Sequence, residues 1–212
     1  MRTKDEFEKG LKGLENRIFY RVINTKNNER VLNRIPHTEV LNLSKIYYTI
    51  LIDETAKTLQ AITITNAILA EMSLTIEALD KIAERNTIEV FMPKLECIDA
   101  VIDNLDLRGA LDSDEKMKDF YILTNKLYLY GASTIFYPGL MEDLSHFFGN
   151  CSLYVIPSSI NEAILMPDYG IISKRELEEL LMMLNDSITD NEERLSDDIF
   201  YYCHKTNQLS IV

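Results

Sequence analysis

Six consecutive residues, Pro157-Ser-Ser-Ile-Asn-Glu162, bring two hydroxyls, an amide and a carboxylate together. Nucleophilic catalysis needs a hydroxyl or thiol with a base in hydrogen-bond reach. Ser158 or Ser159 could supply the hydroxyl, beside Asn161 and Glu162, with a histidine such as His37 brought in by the fold. Two features weigh against this. Neither serine sits in a Gly-x-Ser-x-Gly elbow, and no histidine is close in sequence. Ser and Asn after Pro also bond their own backbone and build ordinary turns. The segment reads first as a turn between strands, with a hydrolase-type enzyme as the competing reading.

The other chemistry-bearing residues are sparse. His146 follows Glu142 by four residues and Asp143 by three, which puts all three on one helix face. That is half a metal site at most, because no second histidine follows at the spacing a helical zinc site uses. His37 stands in a loop before a strand and His204 in a terminal hairpin turn. Cys97, Cys151 and Cys203 are widely spaced and odd in number, and none forms a CxxC pair, which argues against a disulfide framework or a zinc ribbon. With 7 glycines and no Gly-rich phosphate loop, no cofactor or metal is implied.

Composition narrows the partners. A hydrophobic content of 46%, with 11 Tyr and 8 Phe, suffices for a packed core. No apolar run approaches the roughly 20 residues that cross a bilayer, and MRTKDEFEKG is not followed by the apolar stretch of a secretory signal. The expected location is therefore cytoplasmic, with no membrane contact. The net charge of −12 is unevenly placed: residues 101–212 hold 8 Lys and Arg against 19 Asp and Glu, a balance of −11. Such a surface repels phosphate backbones and attracts a protein partner with a basic surface. Arg17, Arg21, Lys26, Arg30 and Arg34 make the start locally positive. Nucleic-acid binding through them is the weakest of the three readings, since spaced cations more often form a solvated or ion-paired face.

The elements that must position these residues follow from periodicity. Phe7, Leu11, Leu14 and Ile18 predict a helix over 4–16. Ile18 to Ile23, Leu43 to Asp53 and Leu59 to Thr65 read as strands, the second hydrophobic enough to be buried on both faces. Short helices are expected over 28–34 and 67–72, and a longer one over 75–86, capped by Thr75, with Ile76, Leu79, Ile82 and Ala83 inward. Residues 88–95 read as irregular and 96–105 as a helix. In the second half, 120–124 and 127–137 read as a hairpin, with Gly131 as a bulge. A helix between Pro138 and Gly149 would bury Leu140, Leu144, Phe147 and Phe148. Strands at 152–156 and 162–166, a helix opened by the Ser173…Glu176 capping box and a closing hairpin from 198 complete the chain.

These elements give an α+β protein of two related lobes, each a small, mainly antiparallel sheet with helices on one face. The lobes are placed at 1–105 and 119–212, around a polar linker at 106–118. Strand, turn, strand and helix recur at 47–83 and 120–148, which suggests an internal duplication.

Arg34-Ile-Pro-His37, Asn86-Thr87, Leu123-Thr-Asn125, Tyr130-Gly-Ala132, Tyr137-Pro-Gly139, Ile156-Pro-Ser-Ser159, Glu162, Pro167-Asp168 and Leu195-Ser-Asp197 occur in that order. Together they resemble an uncharacterised bacterial family of unknown function, found mainly in gut Firmicutes, over roughly residues 15–212. Relatives usually carry His before the Glu of the Pro-Ser-Ser segment, where this chain has Asn161, and an additional N-terminal region. The resemblance implies no activity, cofactor or catalytic residue. The expected function is a non-catalytic binding or regulatory module whose acidic second lobe makes the contact; the sequence does not set an oligomeric state.

Overall fold

The structure, a computed structural model, describes residues 15–53, 58–98, 120–170, 172–187 and 193–212. It has two compact units, Met1–Met92 and Pro93–Val212.

The first unit is organised on one long strand. β1 (Ile18–Asn24), β2 (His37–Val40), β3 (Leu43–Asp53) and β4 (Thr58–Thr63) form an antiparallel sheet in which β3 pairs with all three others. β1 takes one side of β3, and β2 and β4 share the other in succession. Residues 43–49 are buried on both faces, as the near-continuous apolar run requires. A four-residue α1 (Glu29–Leu32) buries Leu32 with Ile23, Ile35 and Ile46. α2 (Asn66–Glu71) and α3 (Ile76–Val90) begin at Thr65 and Thr75, whose hydroxyls accept from the Ile68 and Ala78 amides. α3 buries Leu79, Ala83, Asn86 and Thr87. Of the face expected, Leu79 and Ala83 are buried, whereas Ile82 is half-buried and Ile76 is 39% exposed.

The second unit is a six-stranded antiparallel sheet in the order β10-β9-β7-β8-β6-β5. Its strands are β5 (Pro93–Cys97), β6 (Tyr121–Asn125), β7 (Leu153–Ile156), β8 (Ala163–Pro167), β9 (Phe200–Cys203) and β10 (Gln208–Ile211). Here the structure corrects the sequence reading. Residues 93–97, expected to be partly irregular and partly helical, pair with β6 from Pro93↔Asn125 to Cys97↔Tyr121. Pro93 is tolerated because it opens an edge strand, where a missing amide leaves no ladder bond unmade. The second unit therefore begins at Pro93 and takes in residues assigned above to the first lobe. The expected linker at 106–118, residues 54–57 between the two strands and nearly all of the helix at 4–16 lie outside the described residues.

Helical layers cover both faces of this sheet, so a second layer adds to the single one expected. α5 (Lys174–Ser187) packs Leu177 and Leu181 on Ile156, Ile164, Met166 and Ile199. The alternate residues of the same strands face the other way. There the Phe136 ring lies 6.5 Å from Phe200, and Phe148, the cap of α4 (Leu140–Phe147), lies 4.7 Å from Tyr121. α4 buries Met141, Leu144, Ser145 and Phe148, whereas Phe147 is 72% exposed. The capping box at α5 is present, with the Ser173 amide and hydroxyl donating to Glu176 at 2.9 and 2.8 Å.

The expected strand at 127–137 is absent. Leu127 to Tyr130 is a loop, and Gly131–Phe136 is a 3-10 helix. Leu-Tyr-Leu-Tyr alternates in size but has no polar face, so period two carried no information there. The internal duplication loses its second strand, and the two units share a fold class without sharing a plan.

Candidate functional site: a braced loop and its supporting turn

The loop that replaces the expected strand is held by side chains from two sides. Tyr128 and Tyr130 both adopt left-handed backbone, at φ 54° and 53°. For a bulky L-residue this conformation costs on the order of 1–2 kcal/mol, so the surroundings must impose it. Asn125, only 1% exposed, does so from one side. Its Oδ1 accepts from the Leu127 amide at 3.0 Å and the Leu129 amide at 3.4 Å, and its Nδ2 donates to the Leu129 carbonyl at 2.7 Å.

The Pro157–Glu162 turn braces the loop from the other side. Asn161 Oδ1 accepts from the Tyr130 amide at 3.1 Å, and its carbonyl accepts from Thr124 Oγ1 at 2.8 Å. The Ala132 amide reaches the Ile160 carbonyl at 3.3 Å. Gly131 is required at this junction, since a Cβ there would collide with Thr124 Oγ1 and the Asn161 carbonyl. It is a point of close approach between two backbones, and the expected bulge does not form.

What this bracing holds out is apolar. Leu127 is 57% exposed, Tyr128 54% and Leu129 40%. Lys94 of β5 sits 4.5 Å from the centre of the Tyr128 ring and bonds both the Tyr128 hydroxyl and, at 2.8 Å, Glu96. A rigid loop presenting three large apolar side chains is suited to contact with another surface.

The serines serve the turn. Ser158 is 5% exposed, and its hydroxyl donates to the Glu162 carbonyl at 3.4 Å. Ser159 Oγ accepts from the Asn161 amide at 3.2 Å, and its backbone bridges to Arg194. Asn161 braces the loop. Glu162 has its carboxyl raised above the ordinary value of 4.5, first by burial and then by the charge of Glu96. His37 lies in the first unit, where its Nδ1 is 3.1 Å from the Ile35 carbonyl. His146 is exposed on α4, 4.0 Å from Glu142. Among the described residues no group of three or more His, Cys, Asp or Glu could hold a metal ion. All three cysteines are free thiols; hydrogen bonds from the Thr206 hydroxyl and the Lys205 and Thr206 amides pull the Cys203 thiol below its ordinary value.

The first unit holds a second polar cluster, pointed inward. Lys45, 8% exposed, reaches Glu84 at 3.3 Å and Asp80 at 3.6 Å and lies 4.7 Å from the Tyr20 ring centre. The Tyr47 hydroxyl lies 2.6 Å from Thr38 Oγ1 and donates to Asp80 at 2.9 Å; burial, more than any neighbour, raises this phenol well above its ordinary value. This cluster ties α3 to β3. Sequence reading missed the long-range contacts of both clusters, such as Tyr130 to Asn161 and Lys45 to Glu84; the signal that was present is a lysine inside a strand rich in Ile, Leu and Tyr.

No described helix is long and apolar enough to cross a membrane. No curated protein and no solved structure matches the chain. A family match covers residues 3–204, nearly the whole sequence, and by it the chain belongs to the family of unknown function DUF5688.

Proposed function

We propose that the protein is a non-catalytic, cytoplasmic binding or regulatory module whose second unit contacts a protein partner with a basic surface. The observation that carries this reading is the braced loop. Two left-handed tyrosines are held by buried Asn125 and by Asn161, and the product is an exposed Leu127-Tyr128-Leu129 tip. Strain of this kind persists only where the surroundings over-determine it, and it gathers at functional surfaces. The −11 balance over residues 101–212 favours a basic partner and faster encounter with it. A photo-crosslinker at Phe147, on the exposed side of α4, should trap a discrete adduct in cell extract. The Leu127→Asp, Leu129→Asp variant should lose it at an unchanged melting temperature, while Ser159→Ala keeps it. An adduct indifferent to the tip variant would sink the reading.

The hydrolase reading retains one supporting observation, the raised Glu162 carboxyl, since perturbed carboxyls gather at active sites. Against it stand the two serines bonded to their own turn. Covalent labelling of Ser158 or Ser159 by a fluorophosphonate, abolished by heat denaturation, would favour the enzyme.

A further inference from the structure

We propose that the outer edge of β10 receives an extended peptide segment of alternating basic and aliphatic residues as an added strand of the second sheet. The inference rests on the basic-partner reading but uses a surface other than the loop tip. β10 ends the strand order, and no described strand pairs with its outer side. Its register against β9 runs from Gln208↔Cys203 to Ile211↔Phe200, and the Val212 amide donates to the Ile199 carbonyl at 3.0 Å. Hydrogen bonding alternates along an antiparallel pair, so Gln208, Ser210 and Val212 turn their backbone groups inward to β9. The amides and carbonyls of Leu209 and Ile211 then point outward. Natural sheets blunt such edges with proline, charge or cover. β5, at the far side of the same sheet, carries Pro93, Lys94 and Glu96; β10 carries Gln-Leu-Ser-Ile with Ser210 and Ile211 exposed.

A cleft flanks this edge on each face, which is what strand addition needs for its alternate side chains. On the α5 face a cleft of about 130 Å³ has Leu177, Leu181, Ile199 and Val212 as its apolar floor. Glu178, Asp197 and Asp198 also line it. Arg194 pairs with Asp197, and among the described residues that line this cleft the charged ones are all acidic. A lysine or arginine stem would lie along the floor with its charge at the rim. On the opposite face a cleft of about 240 Å³ is lined by Phe136, Tyr137, Met141, Tyr202 and Leu209, with Glu142 the acid at its wall. That cleft suits an aliphatic side chain.

The test uses the full chain and a fluorescent Val-Lys-Val-Lys-Val-Lys-Val peptide, followed by anisotropy. Binding that weakens with salt, with no binding of the Val-Glu counterpart, is expected. Ile211→Pro removes one outward donor and leaves the β9 ladder intact, so it should weaken binding about tenfold. Should that variant fold poorly, a peptide N-methylated at alternate residues replaces it and should lose binding to the unaltered protein. Equal binding by Ile211→Pro at an unchanged melting temperature, equal binding of the Val-Glu peptide, or no binding at all would each overturn the proposal. Binding lost in the Leu127→Asp, Leu129→Asp variant but kept in Ile211→Pro would overturn the edge assignment and leave the basic-partner reading standing.

Discussion

The outer edges of β1 and β10 pose one problem and receive opposite treatments. Each strand ends its sheet and turns alternate backbone groups away from its neighbour. On β1 those groups are met by side chains of α3. The Tyr20 amide donates to Thr87 Oγ1 at 3.0 Å, and Asn86 Nδ2 donates to the Ile18 carbonyl at 2.9 Å. Thr87 and Asn86 are 2% and 5% exposed, so the edge is sealed inside the unit. On β10 the flanking side chains form two clefts and leave the strand between them exposed. A chain that can close an edge with two helix side chains has the means to close both. Among the described residues no strand covers the second edge, and its apolar and acidic lining is what the proposed docking would use.

The largest expected effect comes from removing the wall beside the open edge. Leu181, 6% exposed, packs in the α5 cluster with Leu177 and Ile199. Leu181→Asp places a charge with no partner in that apolar cluster. It should cost about 4 kcal/mol or more and unfold the second unit. Urea denaturation checks this; an unchanged midpoint would show that α5 does not seat on the sheet through this face.

The closed edge breaks next. Asn86→Ala removes the donors to the Ile18 carbonyl and, at 2.7 Å, the Glu15 carbonyl, and leaves both without that partner. A loss of about 2–3 kcal/mol in chemical denaturation is expected. Hydrogen exchange should quicken at Tyr20, whose amide depends on Thr87 one residue further along α3. A stability change under about 0.5 kcal/mol would mean that the edge is sealed by packing alone.

What the sequence revealed of these edges follows from the range of the forces involved. β1, β3, the Thr75 cap, the Ser173 capping box and the closing hairpin were legible, because each is set by neighbours within a few residues. The sealing of β1 was not, since Thr87 is 67 residues from Tyr20. β5 was missed because Pro93 reads as a breaker everywhere except at the start of an edge strand. The 127–137 segment was misread because burial, not alternation, decides its path: Ala132 to Ile135 are buried although they lie in a 3-10 turn. Of the Pro157–Glu162 segment the turn was legible, whereas the bond from the Tyr130 amide to Asn161, 31 residues away, was hidden by the same long-range pairing.

Glu162 sharpens the contrast from the charged edge, since the charge that adds to its burial is Glu96 of β5. Its carboxyl is raised in the folded state, so the protonated form is favoured there. The associated stability is fully present below the unfolded value near 4.5 and is lost as pH rises through the higher folded value. Glu162→Gln should therefore melt higher than the unaltered protein at neutral pH, and the gap should close toward pH 4. A gap that widens on acidification would reverse the assigned direction.

The smallest stability effect is expected at the open edge, and its smallness is the point. Proline at position 211 removes an amide that points away from β9, so no ladder bond is broken. Ile211 is 42% exposed, so trimming its side chain removes little buried area. Proline also restricts the unfolded chain, which offsets part of any strain in the strand. The melting temperature of Ile211→Pro should match the unaltered protein, a difference within about 0.5 kcal/mol. Ser210→Pro, one residue away, removes the amide turned toward Tyr201 and should cost about 3 kcal/mol. Equal losses at 210 and 211 would mean that the outward amide of Ile211 is already bonded within the protein, and the two edges would then be alike.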